Sequence, residues 1–198
     1  MIPTLCFVTR NAHKREEIAA QLGNVCQLLT LDEMGCTEEI PEPEDTIEGN
    51  AIYKARYVCE RYQIPCFADD SGLEVFALNG APGVHSAYYA GKARDFKANY
   101  ERVLQELKGI CDRRAQFKTV IALALPNGKV RTFTGIITGV ITEAPRGSNG
   151  FGYDPIFQPD GYGITFGEME TSLKTRISHR ARAMQQLLDF LRSQNIND

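Results

Sequence analysis

Residues 4–22 read TLCFVTRNAHKREEIAAQL, and their order decides how the rest of the chain is parsed. Thr4 to Val8 is an apolar run of strand length, and Lys14 to Leu22 has the spacing of a helix that Gly23 closes. A strand that hands over to a helix through a short polar loop opens an α/β fold. A helix N-terminus carries free N–H groups and partial positive charge, so it attracts acids and repels bases. Here Arg10, His13, Lys14 and Arg15 crowd that end, which suits either a solvated basic surface or an anion held against them, with phosphate the usual guest. The loop lacks the glycines of a Walker A or dinucleotide fingerprint.

Working outward, Ile47, Ala51, Ala55, Val58 and Tyr62 recur at helical spacing, which predicts a helix over Thr46 to Tyr62. Pro65 separates it from a strand, Cys66 to Ala68, that runs into Asp69-Asp70-Ser71-Gly72. Neighbours on an extended strand face opposite ways, so the two acids serve one place only if the backbone turns, and Gly72 predicts such a turn. Glu38 to Asp45 is acidic and broken by prolines, hence a loop; Leu73 to Leu78 reads as a strand and Phe96 to Leu107 as a helix. Ala115 to Leu125 and Val130 to Ile141 flank Pro126-Asn127-Gly128, the pattern of a hairpin. Ser178 to Leu191 closes the chain as a helix with Ala181, Met184, Leu188 and Leu191 on one stripe. The expectation is an α/β fold with a mixed central β-sheet flanked by helices, in a single domain over residues 1–198.

The net charge of −3 provides no general basic field, so neither nucleic acid nor a membrane surface is an expected partner. No apolar run reaches the roughly 18 residues of a membrane span. The six cysteines include no CxxC pair, and Met1 leads into Leu5-Cys6-Phe7-Val8 without a signal-peptide pattern, which together predict reduced thiols and a cytoplasmic location.

Three further clusters carry chemistry. Lys174-Thr175-Arg176-Ile177-Ser178-His179-Arg180 repeats the basic helix start, with Ser178 as N-cap. Gly150-Phe151-Gly152-Tyr153-Asp154-Pro155 places glycines around an aromatic ring, which suits either a turn with a buried Phe or a shelf for a planar ligand. Asp69 and Asp70, with Glu42 and Glu44, form an oxygen donor set fit for Mg²⁺, whereas the three histidines lack companions at zinc-ligand spacing. A strand-end turn with capping is the plainer use of Asp-Asp-Ser-Gly.

In their order along the chain, TxNxxK at 9–14, FADDSGLEV at 67–75, GAPG at 80–83, GFGYDPIF at 150–157 and ISHR at 177–180 resemble the inosine triphosphate pyrophosphatase family. That resemblance implies an elongated fold with a substrate cleft between two lobes, a homodimer, and Mg²⁺-dependent cleavage of ITP, dITP or XTP to the monophosphate and pyrophosphate. It implies that Thr9, Arg10, Asn11, Ala12, His13 and Lys14 cradle the phosphates, with Lys54 a further contact. Asp70 becomes proton acceptor and metal ligand, Glu42 a second metal ligand, and Ser71 a substrate contact. Phe151 stacks on the purine, Gly152, Tyr153 and Asp154 line its pocket, and Lys174, His179 and Arg180 complete it. A phosphohydrolase that removes a terminal phosphate, or a nucleotide-binding module without chemistry, remains an alternative reading of the residues themselves.

Overall fold

The computed structural model describes residues 4–22, 25–91 and 93–194, without the side chains of His13, Glu17, Ala20 and Gln194. Gly23, the expected helix stop, therefore lies outside the described residues. The elements run β1 (Thr4–Phe7), α1 (Ala12–Leu22), β2 (Gln27–Leu29), α2 (Ile47–Tyr62), β3 (Cys66–Val75), α3 (Phe96–Glu106), β4 (Arg114–Ala124), β5 (Val130–Ile141), β6 (Phe157–Pro159), α4 (Thr171–Ile177) and α5 (His179–Gln194). Six strands form one sheet in the order β2-β1-β3-β4-β5-β6. β1 runs parallel to β2 and β3, with Cys6 opposite Cys66 and Phe7 opposite Phe67. β6 is antiparallel to β5, so the sheet is mixed as expected.

The chain divides into two compact units, Met1–Asp70 with Thr119–Gly135 and Arg180–Asp198, and Ser71–Lys118 with Ile136–His179. In the first, β1 and β3 supply Leu5, Phe7 and Phe67, and α5 covers them with Met184, Leu187 and Leu191. The rings of Phe7 and Phe67 stack at 4.6 Å, the contact their sheet register dictates. In the second, Leu73 and Val75 of β3 pack with Val103 of α3, Phe117 of β4 and Phe157 and Phe166.

Four sequence expectations need correction. No turn occurs at Gly72: β3 continues to Val75, because Leu73 and Val75 both find a core to enter, and Phe76–Leu78 is a short 3₁₀ turn instead of strand. The first helix begins at Ala12, two residues early, because Asn11 caps it: its Oδ1 accepts from the Lys14 N–H at 3.3 Å. Short strands β2 and β6, three residues each, were too brief to show a period. The segment before Ser178 is helix α4, with Ser178 extended between α4 and α5 (φ −63°, ψ 159°). Lys174 and Arg176 thus occupy the last turn of a helix, where the dipole favours cations, and only His179 and Arg180 stand at a helix start.

All six cysteines are free thiols, four of them buried. No helix among the described residues is long and apolar enough to cross a membrane.

Candidate active site

Strand β3 delivers the two acids to different neighbours. Asp69, 1% exposed, takes Lys14 Nζ at 3.0 Å from each of its oxygens and Arg180 Nε at 3.2 Å from Oδ2. Asp70 Oδ1 faces Lys54 Nζ at 3.5 Å. Lys54 reaches this place because it sits on the buried stripe of α2, between Ala51 and Val58. Its ammonium also donates to Glu42 Oε1 at 2.6 Å and to the Asp69 carbonyl at 2.9 Å.

The electrostatics separate these groups. Burial disfavours the charge on Asp69, yet Lys14, Arg180 and Lys54 outweigh it and hold the carboxyl well below its ordinary range. Burial raises Asp70, against Lys54 and Lys14, and Glu42 and Asp69 add to the rise. Lys54 is penalised by burial, but Asp70, Glu42 and Asp69 together raise its pKa. Burial lowers Lys14; Asp69 opposes this, while Lys54 and Arg180 reinforce it. The Lys14–Asp69 contact is an ion pair by distance, and the fall at Lys14 reflects burial first, with the two other cations beside it adding to it.

Arg10 goes elsewhere. Its guanidinium donates to the carbonyls of Cys36 at 2.6 Å and Glu38 at 3.1 Å and to Asp32 at 3.2 Å, tying the acidic loop to the β1–α1 connection. Thr9 Oγ1 accepts from the Asn11 N–H at 3.2 Å, and Ala12 begins α1; the His13 side chain lies outside the described residues. Ser71 follows Asp70 on β3, half-buried. Glu44 does not join the acids on Lys54: its backbone is clamped by Asn50, and its side chain lines a groove of about 410 Å³ on α2 with Tyr53, Arg56 and Tyr57.

In the second unit, Asp154 organises the glycine-flanked loop. Its Oδ2 accepts from the Phe151 N–H at 2.8 Å and from Lys174 Nζ at 2.7 Å, both with the carboxylate buried. Gly150 has φ +75°, and a Cβ there would lie 2.0 Å from Asp154 Oδ2, so only glycine fits. Gly152 also adopts positive φ, +66°. Lys174 Nζ stands 4.7 Å from the Phe151 ring centroid. Tyr153 is buried and donates its hydroxyl to the Ser86 carbonyl at 2.7 Å, while His179 stacks on Phe117 at 4.7 Å. Tyr153 and Asp154 thus shape the loop from beneath.

Sequence reasoning paired the basic helix starts with a bound anion and missed that the protein supplies one itself in Asp69. The signal was present: alternation turned Asp69 away from Asp70, and both helix starts needed a negative charge.

The mixed sheet with lysines gathered on adjacent acids places the chain among α/β proteins, and known proteins share this fold. The solved Ham1 protein of Staphylococcus aureus is similar with a TM-score of 0.91 at 36% identity, over 96% of this chain and 99% of that one. The chain is 50% identical over 187 residues to the dITP/XTP pyrophosphatase of Flavobacterium johnsoniae, covering 94% of this chain and 97% of that protein. It is 51% identical over 188 residues to the one from Porphyromonas gingivalis, covering 94% and 96%. A model of the Ham1 family matches residues 5–190, and the chain belongs to that family.

Proposed function

We propose that this chain is a nucleoside triphosphate pyrophosphatase that cuts aberrant purine nucleotides, ITP, dITP and XTP, into the monophosphate and pyrophosphate, as one catalytic domain. The observation that carries it is the set Glu42, Lys54 and Asp70, with Lys14 close by on Asp69. Positioning and charge neutralisation are most of what phosphoryl chemistry requires, together with a group that orients water.

The donors suit Mg²⁺. Glu42 and Asp70 already share one cation in Lys54, both are oxygen ligands, and no group of three His, Cys, Asp or Glu among the described residues forms a closed metal site. Two carboxylates completed by water and substrate phosphates is the usual provision for Mg²⁺. Such an ion would neutralise charge on the phosphates. The β1–α1 loop cradles the phosphates without the Arg10 side chain, with Asn11 and Lys14 the main contacts and Lys54 a further one. Asp70, its pKa raised by burial, takes the proton from the attacking water, and Ser71 holds substrate.

Phe151 stacks on the purine, supported by the Asp154–Lys174 pair beneath its loop. His179 and Arg180 present donors to the 6-oxo group of inosine or xanthosine, where adenine has an amino donor; such a polar mismatch discriminates by up to about 10⁴–10⁵. Free thiols support a cytoplasmic site of action, and the motif resemblance supports a homodimer.

The test is product analysis. With Mg²⁺, dITP, ITP and XTP are expected to release pyrophosphate and the monophosphate, and chelation by EDTA to stop it. Release of orthophosphate alone would make the protein a terminal phosphohydrolase, and binding without products would make it a regulatory module.

A further inference from the structure

Two helices, α1 and α5, begin with cations, the arrangement their dipoles oppose. Lys14 lies in the first turn of α1 and Arg180 in the first turn of α5, far apart in sequence. Both point at one carboxylate. Asp69 has Lys14 at 3.0 Å and Arg180 at 3.2 Å, and its carbonyl receives Lys54 at 2.9 Å. Asp69 is 1% exposed and Arg180 2%. Both of its oxygens lie against Lys14 and Oδ2 also faces Arg180, so the carboxylate is committed to the protein's own cations.

We propose that Asp69 is a positioning residue that sets the phosphate-gripping Lys14 and the base-reading Arg180 from a single carboxylate, so that phosphate grip and base choice are coupled through a side chain that touches neither. The inference rests on the functional reading above and deepens it. Removing the charge at residue 69 releases two cations at once, and each loses the orientation that made it selective. Groups that share one partner respond non-additively to substitution, whereas independent contacts add.

The experiment is Asp69→Asn in the full chain, alone and with Lys14→Met. Turnover of dITP and dATP is measured with Mg²⁺, and binding of tripolyphosphate, dITP and dATP by calorimetric titration. The expected result for Asp69→Asn is a fall in kcat/KM for dITP of about 100-fold, carried by kcat and KM together, and a narrowing of the dITP-over-dATP preference by about 10-fold. Lys14→Met should weaken tripolyphosphate binding strongly in the parent and little in Asp69→Asn. Asp69→Glu, which keeps the charge, should restore part of the base preference. An unchanged dITP-to-dATP ratio in Asp69→Asn, or an equal Lys14→Met effect in both backgrounds, overturns the proposal. If Asp69→Asn does not fold, the same cycle on Asp69→Ser, which also removes the charge, decides by the same criterion. Should the parent release no pyrophosphate, the functional reading fails, and the titrations still report whether Asp69 couples the two cations.

Discussion

At residue 70 burial lifts the carboxyl pKa while Lys54 and Lys14 pull it down, and the net is a rise. At residue 69 burial acts the same way but loses to Lys14, Arg180 and Lys54. A carboxylate held permanently charged is a poor proton acceptor, and one poised higher is a better one. The prediction is that Asp70→Asn loses turnover of dITP by about 10²–10⁴-fold, the range of a lost general base, while still binding nucleotide. Pyrophosphate release and calorimetric titration of the same preparation check it, and a fully active Asp70→Asn would remove this residue from the chemistry. Adjacent identical letters in the sequence could not display this difference, because it is made by α1, α2 and α5, three helices drawn from separate parts of the chain.

At the scale of the element, α2 is the clearest case of a readable segment. Its apolar stripe and its length were expected; the structure adds the cap, Thr46 Oγ1 accepting from the Gly49 N–H at 2.9 Å. Lys54 entered only through the motif resemblance, as a phosphate contact; the structure sets it on the buried stripe, where a lysine needs partners, and it finds Glu42, Asp70 and a carbonyl. Gly49 is required by close approach, since a Cβ there would sit 2.8 Å from the Glu44 Cβ. Thr46→Ala should destabilise the protein by about 1 kcal/mol, read as a fall of roughly 2–4 °C in Tm for a chain of this size. No change in Tm would mean that the clamp between Asn50 and Glu44 fixes the helix start without the cap. β3 was less readable, because a glycine after two acids imitates a turn; only the cores on either side of Gly72 show that the strand goes on. α4 was missed because seven residues of TSLKTRI give too little period, and its cations were therefore assigned to the wrong helix end.

Across the whole molecule, the class of sheet and the place of the acids were written in local patterns, while the pairing of charges was not, because it depends on contacts such as residue 69 with residue 180. The same long-range pairing sets the response to alkali. Burial and a hydrogen bond to Glu106 push the Tyr89 hydroxyl up to about 12, and burial raises Tyr153 as well. The folded chain thus keeps these protons at a pH where the unfolded chain, with tyrosines near 10, has released them. The contribution of these tyrosines to stability should therefore be level below about pH 10 and decline as the pH rises towards about 12. Denaturant unfolding across that window checks this, with Tyr89→Phe expected to shallow the decline; an identical slope would remove Tyr89 from the account.

The ammonium of Lys54, lodged against Glu42 and Asp70, has a consequence for the life of the chain before it meets any nucleotide. Two carboxylates brought together bare would repel, and a nascent protein would need an ion at hand to close around them. With a covalently attached cation between them, the folded chain brings the two carboxylates together without a bound ion. On the function proposed above, a divalent ion would then be free to arrive and leave with the substrate.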